Sequence, residues 1–179
     1  MVSGIIILDE KPKHTKMSLF KQLFLFNLIL SIVSCTQHPS GTEDKATQEQ
    51  NKQAFIETLE KHLRAVSEKD LPSLKSTMSP DGNMQLILPG VEILFSVESF
   101  MNYHEEWFQD TSWTFETKIL NTDIGDKIGL ATTEIVYREP DRNGEPYFNR
   151  MIVSYGLKKV DGQWYVIKDH ASSIEKSTD

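Results

Sequence analysis

The sequence predicts an α+β fold, with helices packed on one face of a curved antiparallel sheet, and three observations predict it. Apolar residues recur at three- and four-residue spacing between residues 47 and 109; from about residue 113 they alternate in twos; and an Asp161-Gly162 pair joins two of the alternating runs. The first pattern places apolar side chains on one stripe of a helix, the second on one face of a strand. Asp-Gly supplies the two positive-φ residues that the tightest hairpin turn requires. Helices followed by an antiparallel meander bury their apolar sides as two packed layers.

At 179 residues, with 39% hydrophobic and 25% charged residues, the chain has room for one such domain and a tail. Residues 17–34 begin MSLFKQLFLF and carry Lys21 ahead of an apolar stretch, Leu23 to Val33, interrupted only by Asn27 and Ser31. That stretch is too short to span about 30 Å of hydrocarbon and has the length of a signal-peptide core. Ile32, Val33, Ser34 and Cys35 resemble the bacterial lipobox. The resemblance implies a diacylglyceryl thioether on Cys35, cleavage before it and acylation of the new amino terminus, several chains giving stable anchoring. The alternative is an ordinary secretory signal in which Cys35 is incidental. Residues 1–16, with an acidic pair ahead of the apolar core, fit no signal plan and are expected to lie upstream of a true start at Met17. An intact precursor mass beginning at Met1 would exclude that. By analogy with known lipoproteins, Thr36 in place of Asp implies the cell envelope with outer-membrane sorting, facing the periplasm; without lipidation the chain is secreted.

Residues 35–50 are polar, lack aromatics and include Pro39 and Gly41, so they read as a flexible tether. The folded domain is expected over residues 51–175. Its first helix runs roughly from Thr47 to Ser67 with Phe55, Leu59, Leu63 and Val66 on one face, and Glu57, Glu60, Lys61 and Arg64 on the others. A second, from about Leu71 to Thr77, has Asp70 as N-cap and Pro72 in its first turn, and Ser79 to Gly82 stop it. Met84–Leu88 and Val91–Phe95 are short strands parted by Pro89-Gly90. Val97, Phe100, Met101, His104, Trp107 and Phe108 mark the buried stripe of a third helix over 97–109. Four longer strands follow: Trp113–Asn121, Lys127–Arg138, Tyr147–Val160 and Gln163–Ser172. Their connectors are a turn around Gly125, a longer loop from Glu139 to Pro146, and Asp161-Gly162.

This element order resembles the NTF2-like superfamily. The opening FIETLEKHLRAVSEKDLPSLKSTMSPDG and the ending DGQWYVIKDHASS are similar to the first helices and closing strand of its SnoaL-like members, over about Gln53 to Ser173. The resemblance implies a cone-shaped sheet with one apolar pocket and a homodimer through the sheet's other face. It implies no activity, because the superfamily holds isomerases, cyclases, dehydratases, transport factors and members without chemistry.

Charge narrows the partners. The formal net charge is −7, and removing residues 1–35, with four lysines and two acids, lowers it by two to −9. An acidic surface without a basic patch excludes nucleic acid as a partner. His104, on the apolar face of the third helix, is a candidate general base or oxygen-polarising group, against the plainer reading of a core histidine. Asp169 and His170 look like an acid–base pair, but neighbouring strand residues face opposite sides, so at most one enters the pocket. Simple alternation groups Trp164, Val166, Lys168 and His170 on one face and Tyr165, Ile167, Asp169 and Ala171 on the other, with His170 and His104 meeting across the pocket as one possibility. Tyr103, Trp107, Tyr137 and Tyr155 are expected to line the pocket; these tyrosines and Tyr147 offer hydroxyls to an oxyanion, though tyrosine also simply packs well in sheets. Asp169 and Glu134 are the strand carboxylates considered for an isomerase-like site. His104-Glu105-Glu106 lacks the second histidine of a helical zinc site, Ser172-Ser173 lacks a nucleophile elbow, and no cofactor or metal is implied. The first expectation is an envelope lipoprotein binding a small apolar ligand or a protein partner without chemistry. The alternative is an isomerase, cyclase or dehydratase using His104 or Asp169 as base. A third is an assembly module built on the outer sheet face.

Overall fold

The computed structural model describes residues 40–91 and 93–177. The upstream segment 1–16, the signal segment 17–34 and Cys35 lie outside the described residues. Helix α1 spans Ser40–Ser67, beginning seven residues before the expected Thr47, so residues 40–50 of the expected tether are helical. From Thr42 to Gln50 the chain holds no proline or glycine and is rich in Glu, Gln, Lys and Ala, so nothing in it breaks the helix, exposed though residues 45–50 are. Phe55, Leu59, Leu63 and Val66 form its buried stripe as the spacing requires, joined by His62 and Ala65. Lys69, in the left-handed region at φ 58°, closes the helix while the Asp70 amide donates to the Ala65 carbonyl at 2.8 Å. Helix α2 (Leu71–Ser76) is capped by Asp70, whose Oδ1 accepts from the Ser73 amide at 3.0 Å. Helix α3 (Val97–Trp107) starts in a reciprocal capping box between Ser96 and Ser99. It ends two residues before the expected Gln109, where Phe108 forms the C-cap.

The strands are β1 (Asn83–Ile87), β2 (Leu94–Ser96), β3 (Thr114–Ile124), β4 (Ile128–Arg142), β5 (Glu145–Val160) and β6 (Gln163–Lys176). They form one sheet in the order β2-β1-β6-β5-β4-β3, antiparallel except where β1 runs parallel to β6. Asp161 (φ 49°) and Gly162 (φ 84°) make the expected two-residue turn. The expected loop from Glu139 to Pro146 is instead a second hairpin: Arg142 pairs with Glu145 around Asn143 (φ 60°) and Gly144 (φ 94°). Asn-Gly supplies the same positive-φ pair as Asp-Gly, and a register shift between Glu139 and Arg142 absorbs Pro140, whose missing N–H would otherwise break the ladder.

The buried face of the long strands packs against α1 and α3 in one core of Phe55, Leu59, Phe100, Ile135, Leu157 and Val166 with their neighbours. Phe55 meets Trp164 edge-to-face at 5.2 Å and lies so close over Gly129 that a Cβ there would sit 2.5 Å from its ring. One irregularity decides the site. Leu157 pairs with Val166 but Gly156 pairs with Lys168, leaving Ile167 as an extra residue in β6. This bulge reverses the alternation: Trp164 and Val166 are buried before it, Asp169 and Ala171 after it, and Lys168 and His170 are exposed. The faces expected from simple alternation are therefore corrected, and Asp169, not His170, shares the interior with Trp164 and Val166.

Candidate functional site

A cavity of about 480 Å³ lies between α3, the end of β1 and the buried faces of β4, β5 and β6. Alternate residues of β5, from Tyr147 through Asn149, Met151 and Val153 to Tyr155, line it in succession, so it extends along that strand. Tyr103, His104 and Trp107 of α3 line the facing wall, Tyr137 and Glu139 come from β4, and Asp169 from β6. All four residues expected to line the pocket do so. Of the three candidates for chemistry the cavity brings together His104 and Asp169. His170 is exposed on the opposite face, so the meeting of His170 with His104 across the pocket is corrected, the Ile167 bulge being the reason.

Asp169 is the chemically distinctive group. Its Oδ1 is buried without a hydrogen-bond partner among the described residues, and the Tyr155 hydroxyl donates to its carboxyl. Burial raises its pKa to about 7, with the Tyr155 hydrogen bond only partly opposing this. The same low-dielectric surroundings raise the pKa of Tyr103, to which the Asp169 charge adds, and push Tyr155 well above the ordinary tyrosine value. A carboxyl that titrates near neutrality, one oxygen open, beside two tyrosines that stay protonated, can take up or release a proton or accept a hydrogen bond from a bound group.

His104 plays a narrower part than its position suggested. Its Nδ1 lies 2.8 Å from the Phe100 carbonyl oxygen, which can only accept, so Nδ1 carries the proton and Nε2 keeps a lone pair. Burial lowers its pKa to about 4, so it is neutral at pH 7. Without a second N–H it can accept a hydrogen bond but not polarise a ligand oxygen, which corrects that expectation. The aromatic rings around it form a continuous wall: Tyr103 at 5.4 Å, Trp107 at 5.6 Å and Phe108 at 5.5 Å.

Two groups went unnoticed in the sequence. His62 is fully buried, its Nδ1 2.8 Å from the Thr77 hydroxyl. That hydroxyl donates to the Leu74 carbonyl at 2.7 Å, so it accepts from His62, leaving Nε2 buried and unpartnered among the described residues. Burial, aided by His104, lowers its pKa to about 3. The signal was present, since His62 falls on the apolar stripe of α1, three residues after Leu59 and four before Val66. The second is a polar cluster at the far end of the cavity. The Tyr137 hydroxyl donates to Glu139 Oε1 at 2.6 Å, Arg142 Nε donates to Glu139 Oε2 at 2.9 Å, and the Arg142 guanidinium lies 3.4 Å above the Tyr147 ring. Glu134, the other carboxylate considered, faces outward and pairs with Arg150 at 3.0 Å.

Residues 56–175 match the family model of the SnoaL-like domain. A search of curated proteins finds no match. Among solved structures the chain is similar to a candidate dehydratase of the NTF2-like family from Streptomyces avermitilis (TM-score 0.60, 14% identity, 71% of this chain and 99% of that one). It is similar also to a ketosteroid isomerase-like protein from Erwinia carotovora atroseptica (0.58, 16%, 68% and 95%) and to the association domain of CaMKII from C. elegans (0.53, 21%, 70% and 98%). At these identities the likeness is one of fold.

Proposed function

Because the chain belongs to the SnoaL-like family of the NTF2-like superfamily, we propose that its cavity binds a small, largely apolar molecule whose polar end meets Asp169, and that Asp169 exchanges a proton with it. The observation that carries this reading is the buried, unpartnered Asp169 Oδ1 inside a cavity walled mainly by aromatic and aliphatic side chains. Such a pocket gains affinity from its apolar wall and orientation from its few polar groups. With the carboxyl poised near pH 7 and the Tyr103 and Tyr155 hydroxyls beside it, proton abstraction next to a carbonyl is the chemistry the site supports best. This moves the enzyme reading ahead of binding alone. The test is exchange of the α-hydrogens of a cyclic enone in deuterated water. The protein is expected to accelerate exchange and Asp169→Asn to abolish the acceleration while enone binding persists. Binding without any exchange would leave a carrier; no binding would defeat the proposal.

An envelope location through a lipid at Cys35 is part of the proposal, and the lipobox-like Ile32-Val33-Ser34-Cys35 supports it. Incorporation of labelled palmitate, lost in Cys35→Ser, tests that part separately.

A further inference from the structure

Asp169 is not the only orphaned acceptor in the cavity wall: Asn149 Oδ1 is also buried with no protein group to meet it among the described residues. The two stand at different places along the cavity. Asp169 pairs across the sheet with Tyr155, and Asn149 lies six residues earlier on the same strand, so their backbones are separated by at most about 20 Å of extended chain. Between them runs an aromatic wall in steps of ring contact, Tyr137 to Trp107 at 5.8 Å and Trp107 to His104 at 5.6 Å. Around Asn149 the cavity is polar again, because its β4 partner is Tyr137, whose hydroxyl is tied to the Glu139–Arg142 pair. Glu139 is already met by Tyr137 and by Arg142, so the open acceptor at this end is the Asn149 carboxamide. A buried acceptor left unmet is costly, and each of these two is satisfied only by a donor that enters the cavity.

We propose that the ligand is elongated and polar at both ends, and that Asn149 is a specificity-determining residue that accepts a hydrogen bond from its second polar group while the first meets Asp169. The proposal rests on the reading of Asp169 above. The apolar middle of such a molecule lies against Trp107 and Met151, and its length is set by the distance between the two acceptors. A ligand with a single polar end leaves the Asn149 oxygen unmet.

The probes are a ladder of rigid bisphenols of increasing length (biphenol, dihydroxystilbene and dihydroxydistyrylbenzene), each compared with its monohydroxy parent. Binding to the full chain in mild detergent is followed by tryptophan fluorescence with the detergent blank subtracted. On at least one rung the bisphenol is expected to bind about tenfold or more tightly than its parent, the size of effect expected when a buried polar group is left unpaired. Asn149→Leu is expected to erase that advantage by weakening the bisphenol far more than the monophenol. No advantage on any rung, or an equal loss for both probes in Asn149→Leu, would overturn the proposal. Failure of the monophenols themselves to bind would instead remove the reading of Asp169. Asn149→Asp, which keeps shape and acceptor, separates recognition from folding: a folded Asn149→Asp that retains the advantage supports recognition, and one that loses it counts against.

Discussion

Replacing Asp169 by Asn gives a prediction whose size follows from burial. The native carboxyl holds its proton to about pH 7, against 3.8 for an ordinary aspartate. Between those values the folded chain binds a proton there that the unfolded chain has released, so stability falls as pH rises, and it levels off above pH 7. Each tenfold in proton affinity is worth about 1.4 kcal/mol, so the full effect approaches about 4 kcal/mol, of which about 3 kcal/mol falls between pH 4.5 and pH 8. His62 and His104 act in the opposite sense. Their native pKa values, about 3 and about 4, lie below the ordinary 6.5, so their contribution is present above pH 6.5 and is lost as pH falls. The wild-type curve alone therefore mixes opposing slopes. The difference between Asp169→Asn and wild type isolates Asp169, because the histidines cancel and any fixed cost of the amide is independent of pH. Urea unfolding followed by tryptophan fluorescence should show the variant gaining about 3 kcal/mol on wild type from pH 4.5 to pH 8. A flat difference, or one that falls with pH, would show that Asp169 is ionised in the fold and that its environment has been misread.

Other outcomes follow from packing and from the turns. Gly129→Ala is expected to lower stability by about 1–3 kcal/mol, because its Cβ would overlap the Phe55 ring held between β4 and Trp164; thermal unfolding reads this. Gly144→Val, at φ 94°, is expected to cost about 1–2 kcal/mol and to loosen the β4–β5 hairpin beside Arg142, weakening ligand binding through a displaced Glu139–Arg142 pair. Leu120 of β3 and Ile128 and Leu130 of β4 are exposed, and the homodimer expected through the sheet's outer face would bury Leu130 at its contact. Leu130→Lys should then halve the mass seen by sedimentation at micromolar concentration, whereas an already monomeric wild type would rule the dimer out. His62→Gln is expected to lessen the loss of stability below pH 6.5, measured by acid unfolding, since the variant retains the buried His104 but has no imidazole at position 62 to protonate.

The fold class, the order of elements and most of their identities were legible in local pattern. The Phe55 to Val66 stripe, the Asp70 cap and the Asp161-Gly162 turn each depend on a few neighbouring residues, and each formed as their spacing and conformational preferences require. Asn143-Gly144 was equally legible, since Asn-Gly carries the same hairpin signal as Asp161-Gly162, although the segment from Glu139 to Pro146 was expected to be a loop. Of the pocket-lining aromatics, Trp107 falls on the apolar stripe that helix periodicity assigns to the interior, whereas Tyr103, Tyr137 and Tyr155 stood out for their hydroxyls. Periodicity holds only while the ladder stays in register, however, and which of Asp169 and His170 faces inward was settled by the Ile167 bulge, which comes from how β6 pairs with β5. The charge states are tertiary in the same way. That Asp169 keeps its proton to about pH 7 while His62 and His104 lose theirs depends on how much water the packed elements exclude. So does the pairing of two orphaned acceptors, Asp169 and Asn149, in one cavity: they are twenty positions apart in the chain and face a common space only because β5 and β6 lie side by side. Sequence determined what each segment becomes, since that is a matter of near neighbours; tertiary structure decided what the site can do, since desolvation and juxtaposition belong to the assembled layers.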